Sequence, residues 1–184
     1  MNFFLFLSLS LPAFASSGDP LWKEWYLVSQ NGAPISFFEE TAERRKKEEE
    51  IAITQRWVEK ISERVETYIG SVSRENDLSP IAFFVEHKGG TPYKTDGRAK
   101  EKRMEITFKP GTPDLAKSTE YAPLTSNTYL SSAIPMVISR QLTKGKGAFE
   151  FTAIVEDGGK MNVEVKKGSV SKAIGRTQKN LKPF

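Results

Sequence analysis

From Trp22 onward the chain is built of short runs in which apolar and polar residues alternate, cut every ten or so residues by Gly, Pro, Asn and Asp clusters. A period of two places one side of a strand on a core and the other in water, and turn signals at this spacing belong to antiparallel β structure. Ile81, Phe83 and Val85 alternate with Ala82, Phe84 and Glu86, and Met104, Ile106 and Phe108 alternate with Glu105, Thr107 and Lys109. Phe149, Phe151, Ala153 and Val155 alternate with the polar Glu150, Thr152 and Glu156. Asn31-Gly32 supplies the positive φ angles of a tight hairpin, and Asp157-Gly158-Gly159 joins the Phe149 run to Met161, Val163 and Val165 in a second one.

One stretch reads two ways. Ile53, Trp57, Ile61, Val65 and Ile69 recur every fourth residue, which is the stripe of an amphipathic helix. Four is also a multiple of two, and half of the positions from Ile51 to Val72 are β-branched or aromatic, which favours strands. Local pattern alone leaves Glu39 to Ile69 open. A helix is expected over 131–142, with Ser131 or Ser132 as N-cap, Pro135 in the first turn and Gly145 past the end. Ile134, Val137, Ile138 and Leu142 give it an apolar face.

The first fifteen residues carry no charged side chain, run apolar through Phe3-Phe4-Leu5-Phe6-Leu7, and finish in Ala13-Phe14-Ala15 ahead of Ser16. This reads as a secretory signal peptide cut between Ala15 and Ser16, which leaves a single β-rich domain over 16–184 in the periplasm or outside the cell. The apolar run is too short to span a bilayer, Pro12 interrupts it, and no later stretch is a transmembrane candidate.

Composition narrows the chemistry. The chain of 184 residues contains no cysteine and one histidine, which excludes disulfides, thiol nucleophiles, cysteine-ligated metal sites and multi-histidine metal sites. A net charge of +4 is too small to argue for nucleic acid, and no cofactor is implied. His87 lies near the end of a strand with no Ser or Asp spaced to join it in a catalytic group. The mixed run from Glu39 to Glu50 reads as a solvated hairpin end, and Lys144-Gly145-Lys146-Gly147 lacks the spacing of a phosphate loop. From Arg140 to Phe184 ten basic residues face four acidic ones, so the C-terminal third is a candidate for contact with an anionic surface.

The order of Trp25-Tyr26-Leu27-Val28, Asn31-Gly32-Ala33-Pro34-Ile35, Glu39-Glu40-Thr41, Glu66-Thr67-Tyr68, Leu78-Ser79-Pro80-Ile81-Ala82-Phe83-Phe84 and Thr128-Tyr129-Leu130-Ser131-Ser132-Ala133-Ile134-Pro135 resembles the β-rich domain found ahead of transglutaminase-like domains in exported bacterial proteins. The resemblance covers most of the chain after the leader. It implies long paired strands in a strongly curved antiparallel sheet, with a short helix before the final hairpin, and it resolves Glu39 to Ile69 toward strands. The outline is similar to the half-barrel lipoprotein carriers, whose concave face holds acyl chains. The chain departs from the fused arrangement by ending at Phe184 without the catalytic domain or its Cys-His-Asp residues. An associated enzyme would then be a separate polypeptide, or this chain a truncated relative.

These readings give a mainly β, half-barrel-like fold with one short helix. The expected function is a non-catalytic exported module that binds a hydrophobic ligand or an envelope protein through its curved sheet. The binding face is expected at Trp57, Phe83, Phe108 and Phe151, with Ile134 and Val137 closing one end. The alternative is a hydrolase of cell-wall glycan or peptide, whose carboxylates the sequence does not single out.

Overall fold

The computed structural model describes residues 3–5, 18–59, 65–112, 116–156 and 158–166. The expected cleavage site at Ala15 and the Lys-rich residues 167–184 lie outside them. The protein is mainly β, with one short helix. Nine antiparallel strands form one sheet in simple sequence order: β1 (Phe3–Leu5), β2 (Asp19–Gln30), β3 (Ala33–Arg45), β4 (Glu50–Glu59), β5 (Val65–Arg74), β6 (Pro80–Lys88), β7 (Tyr93–Lys100), β8 (Arg103–Pro110) and β9 (Ser118–Pro123). The three residues of β1 pair with Leu27–Ser29 of β2. A second sheet holds β10 (Thr128–Leu130), β11 (Ala148–Ile154) and β12 (Lys160–Lys166), with β10 parallel to β11 and β12 antiparallel to it.

Turn chemistry sets the hairpins. Asn31 (φ 52°) and Gly32 (φ 80°) both sit in the left-handed region, and Gln30 pairs with Ala33 directly across them. Gly158 (φ 134°) and Gly159 (φ 87°) turn the chain between β11 and β12. The segment with two readings is strands: β3, β4 and β5 cover its described residues apart from the turn at 46–49, and Ile53, Trp57, Val65 and Ile69 lie on one side of the sheet.

A turn of 3-10 helix (Ser131–Ala133) leads into α1 (Ile134–Thr143), which crosses from β10 to β11. The expected serine N-cap is not used. Ala133 caps α1 without a side-chain bond, because Ser131 and Ser132 are taken up by tertiary contacts. At the other end Gly145 donates to Leu142 O at 2.9 Å and Lys146 to Gln141 O at 3.1 Å, the paired bonds of a Schellman stop, with Gly145 at φ 80°.

The second sheet and α1 cover part of one side of the large sheet. One cluster joins Ala42, Ile51, Ile53 and Leu78 to Tyr129, Ala133, Val137, Phe151 and Ala153. The other joins Phe83, Val85, Met104, Ile106 and Ala122 to Leu130 and Ile154. Neither sheet closes or curls strongly, so the half-barrel curvature expected from sequence is not seen. The apolar side is satisfied by layering a second sheet onto the first rather than by rolling the first upon itself.

Between the layers lies a buried polar link. Glu156, 1% exposed, accepts the Ser132 N–H at 3.0 Å and the Ser131 hydroxyl, and the Ser132 hydroxyl meets that of Ser71 on β5 at 2.6 Å. The carboxylate thereby satisfies a free N–H at the start of the helical segment and fixes β11 to it.

Candidate functional site

Register decides what the inner side of the large sheet presents beyond its covered part. Directly opposed residues on neighbouring strands share a side. One such row runs Trp22, Ala42, Ile53, Ser71, Phe83, Gly97 and Ile106, and much of it lies in the core clusters. Two residues further along each strand is Glu24, Glu40, Gln55, Ile69, Val85, Thr95 and Phe108. Two further still is Tyr26, Phe38, Trp57, Thr67, His87 and Tyr93.

That third row carries two sets of rings, one on either side of Thr67. Tyr26 stacks on Phe38 with centroids 5.8 Å apart, and Phe38 meets Trp57 at 4.1 Å. Thr67 Oγ1 lies 2.8 Å from His87 Nδ1, His87 stacks on Tyr93 at 4.9 Å, and Tyr93 reaches Phe108 at 5.6 Å. Tyr26, Phe38, Trp57 and His87 belong to neither core cluster, and Trp57 is 37% exposed. On β5 to β8 the row adjoins the apolar side through Ile69, Val85 and Phe108, whereas on β2 to β4 Glu24, Glu40 and Gln55 stand between its rings and the covered core, and its rings bury one another only partly.

Carboxylates border it. Glu24 and Glu40 are opposed on β2 and β3, and Glu59 stands two residues beyond Trp57 on the same side. Glu40 accepts the Trp22 indole N–H at 2.8 Å and the Gln55 amide at 2.6 Å, while Glu24 accepts the Tyr26 hydroxyl. Burial, then the bond to Glu24, pushes the Tyr26 phenol up to about 12. Every Lys and Arg of β2 to β9 except Arg44 falls on the other side of the sheet by register, and Arg44 pairs with Glu75 at the far end.

The outer side is a lattice of compensated charge. Glu86 is bridged by Lys94 at 2.9 Å and Lys88 at 3.1 Å, and their hydrogen bonds hold its carboxyl below the usual range. Arg56 bonds Glu66 at 3.1 Å with its guanidinium 5.6 Å from the Tyr68 ring and 6.0 Å from Phe37. Also on this side is a shallow depression of about 330 Å³ lined by Asp96, Arg98, Glu105, Thr107, Lys109 and Lys117. One of its three cations, Lys109, bonds Asp96 at 2.5 Å.

The residues singled out from sequence divide. Phe83, Val137 and Phe151 are 4%, 2% and 3% exposed inside the core, Phe83 in one cluster and the other two in the second, against which Ile134 packs. Trp57 lies in the ring row and half-buried Phe108 borders it. Tyr26, Phe38, Thr67, His87, Tyr93, Glu24 and Glu40 were not anticipated. Among the described residues no three His, Asp or Glu side chains gather as metal ligands, and no helix is long and apolar enough to cross a membrane. Compared with protein-family models, curated proteins and solved structures, the chain matches none.

Proposed function

We propose that this protein is a non-catalytic, exported binding module that engages an envelope-associated ligand or protein partner along the ring row of its large sheet. The observation that carries the reading is the line Tyr26, Phe38, Trp57, Thr67, His87, Tyr93, which lies on the inner side of the sheet beyond the core row and leaves Trp57 exposed. Contiguous apolar surface left open beside a polar border marks interaction sites. A transglutaminase-type enzyme carried on a separate chain is one partner in keeping with the order of sequence signals.

The hydrolase alternative has one observation of its own, the opposed carboxylates Glu24 and Glu40. Both are already held by fixed donors, on an open sheet surface. Carboxylate-pair hydrolysis needs the two groups to flank a bound substrate bond from opposite faces, and neighbours on one flat surface do not. Binding is therefore the reading the geometry favours.

Native mass spectrometry of protein purified from its own envelope tests it. The wild type should carry a bound species that Trp57→Ala, with an unchanged circular dichroism spectrum, does not retain. Equal retention by the variant would place the binding surface elsewhere.

A further inference from the structure

On the outer side of the large sheet, rings, a carboxylate and a cation form a complete set: Phe37 and Tyr68 flank the Arg56 guanidinium, and Glu66 accepts its hydrogen bond. On the inner side, one residue along, the neighbouring positions repeat two parts of that set. Phe38 and Trp57 supply rings 4.1 Å apart, and Glu24 and Glu40 supply carboxylates one step along the strands. Among the described residues the cation has no counterpart there. Register places no Lys or Arg of β2 to β9 at this end of the inner side, and among the described residues no such head group lies over Phe38 or Trp57.

This separation runs against the composition, because the chain as a whole is positive by +4. A surface that keeps Glu24, Glu40 and Glu59 beside the rings of Phe38 and Trp57, while the bases within β2 to β9 other than Arg44 lie on the other side, is complementary to a positive, flat and partly apolar group. Guanidinium meets that description better than ammonium: it is planar, weakly hydrated, stacks on aromatic faces and forks to carboxylate oxygens. Each carboxylate has lone pairs beyond those its present donors occupy.

Resting on the binding role proposed above, we infer that the occupant of the ring row is an arginine-bearing extended segment of a protein partner. An arginine side chain stacks against Trp57 and Phe38 with its fork directed to Glu24 and Glu40.

The test is titration of the full chain, at physiological salt, with a capped hexapeptide alternating Arg and Ala, followed by isothermal calorimetry. Its lysine and citrulline counterparts run beside it. The arginine peptide should bind saturably, the lysine peptide about tenfold more weakly, and the uncharged citrulline peptide not measurably. Trp57→Ala and Glu24→Gln, both at exposed positions, should each weaken the arginine peptide by about tenfold; Glu40→Gln is a third variant, read only if its melting curve matches wild type. Equal binding of the arginine and lysine peptides, binding untouched by Trp57→Ala, or no binding of the arginine peptide would each overturn the inference. A bound species lost from Trp57→Ala in native mass spectrometry, together with no affinity for the arginine peptide, would leave the binding module standing and remove only its arginine ligand.

Discussion

The Phe83 ring occupies the space where a side chain on Gly97 would project: the two residues are paired across β6 and β7, and a Cβ on Gly97 would collide with the ring edge. Gly70 stands in the same relation to Phe84 across β5 and β6, on the other side of the sheet. The two rings differ in what surrounds them. Phe83 is 4% exposed between the layers, whereas Phe84 is 49% exposed.

Gly97→Ala is therefore expected to destabilise the protein by about 1–3 kcal/mol, since a ring enclosed on all sides has nowhere to move. Gly70→Ala should cost less, because Phe84 swings into solvent. Urea denaturation of the two variants checks the order, and equal losses would show that Phe83 is free to shift.

Glu156 carries a second prediction. Glu156→Ala strands the Ser132 N–H and the Ser131 hydroxyl in the interior, at an expected loss of about 1–3 kcal/mol. Glu156→Gln keeps an acceptor oxygen and should lose less. Thermal melts of the pair read the difference, and an unaffected Ala variant would mean that water replaces the carboxylate.

Tyr26 gives a prediction in pH. Its phenol is raised from 10.0 to about 12, first by burial and then by the bond to Glu24, so the neutral form is favoured by folding. The associated stability is fully present below pH 10 and is lost as pH rises through about 12. An ultraviolet titration should show a late phenolate near pH 12 that Tyr26→Phe lacks. Identical curves for the two proteins would show that the contact is not made.

The strands were legible because alternation is written locally. Met104, Ile106 and Phe108 needed no partner to reveal a two-residue period, and Asn31-Gly32 named its own turn. The ring row was not legible, because it exists only through register summed over five hairpins. Its first step shows why. Counting back from the Gln30 to Ala33 pair would set Tyr26 opposite Phe37, but an irregularity after Ser29 and Pro34 leaves Ile35 out of the pairing and sets Tyr26 opposite Phe38. A one-residue slip exchanges the two sides of the strand, so the row could not be composed without locating that bulge. Tyr26, Phe38 and Trp57 are nonetheless visible as aromatics at matching parity once the bulge is known.

The second sheet was half legible. The β11–β12 hairpin showed in its glycines, whereas β10 is three residues, Thr128–Leu130, all buried and without alternation. Buried on both sides and parallel to β11, it carries no period to read. Phe83, Val137 and Phe151 were recognised as inward-facing, but their accessibility turned on whether the sheet rolled or was layered, and that depends on tertiary packing beyond any local pattern.

The central claim is that the uncovered inner side of the large sheet, and not its charged outer side, meets the ligand. The most direct measurement places a photo-crosslinking phenylalanine analogue singly at position 57 and at position 84, two exposed aromatic sites on opposite sides of the same sheet. Both variants are irradiated in the native envelope. The account predicts a discrete crosslinked species from position 57 and none from position 84. Crosslinking from position 84 alone would contradict it.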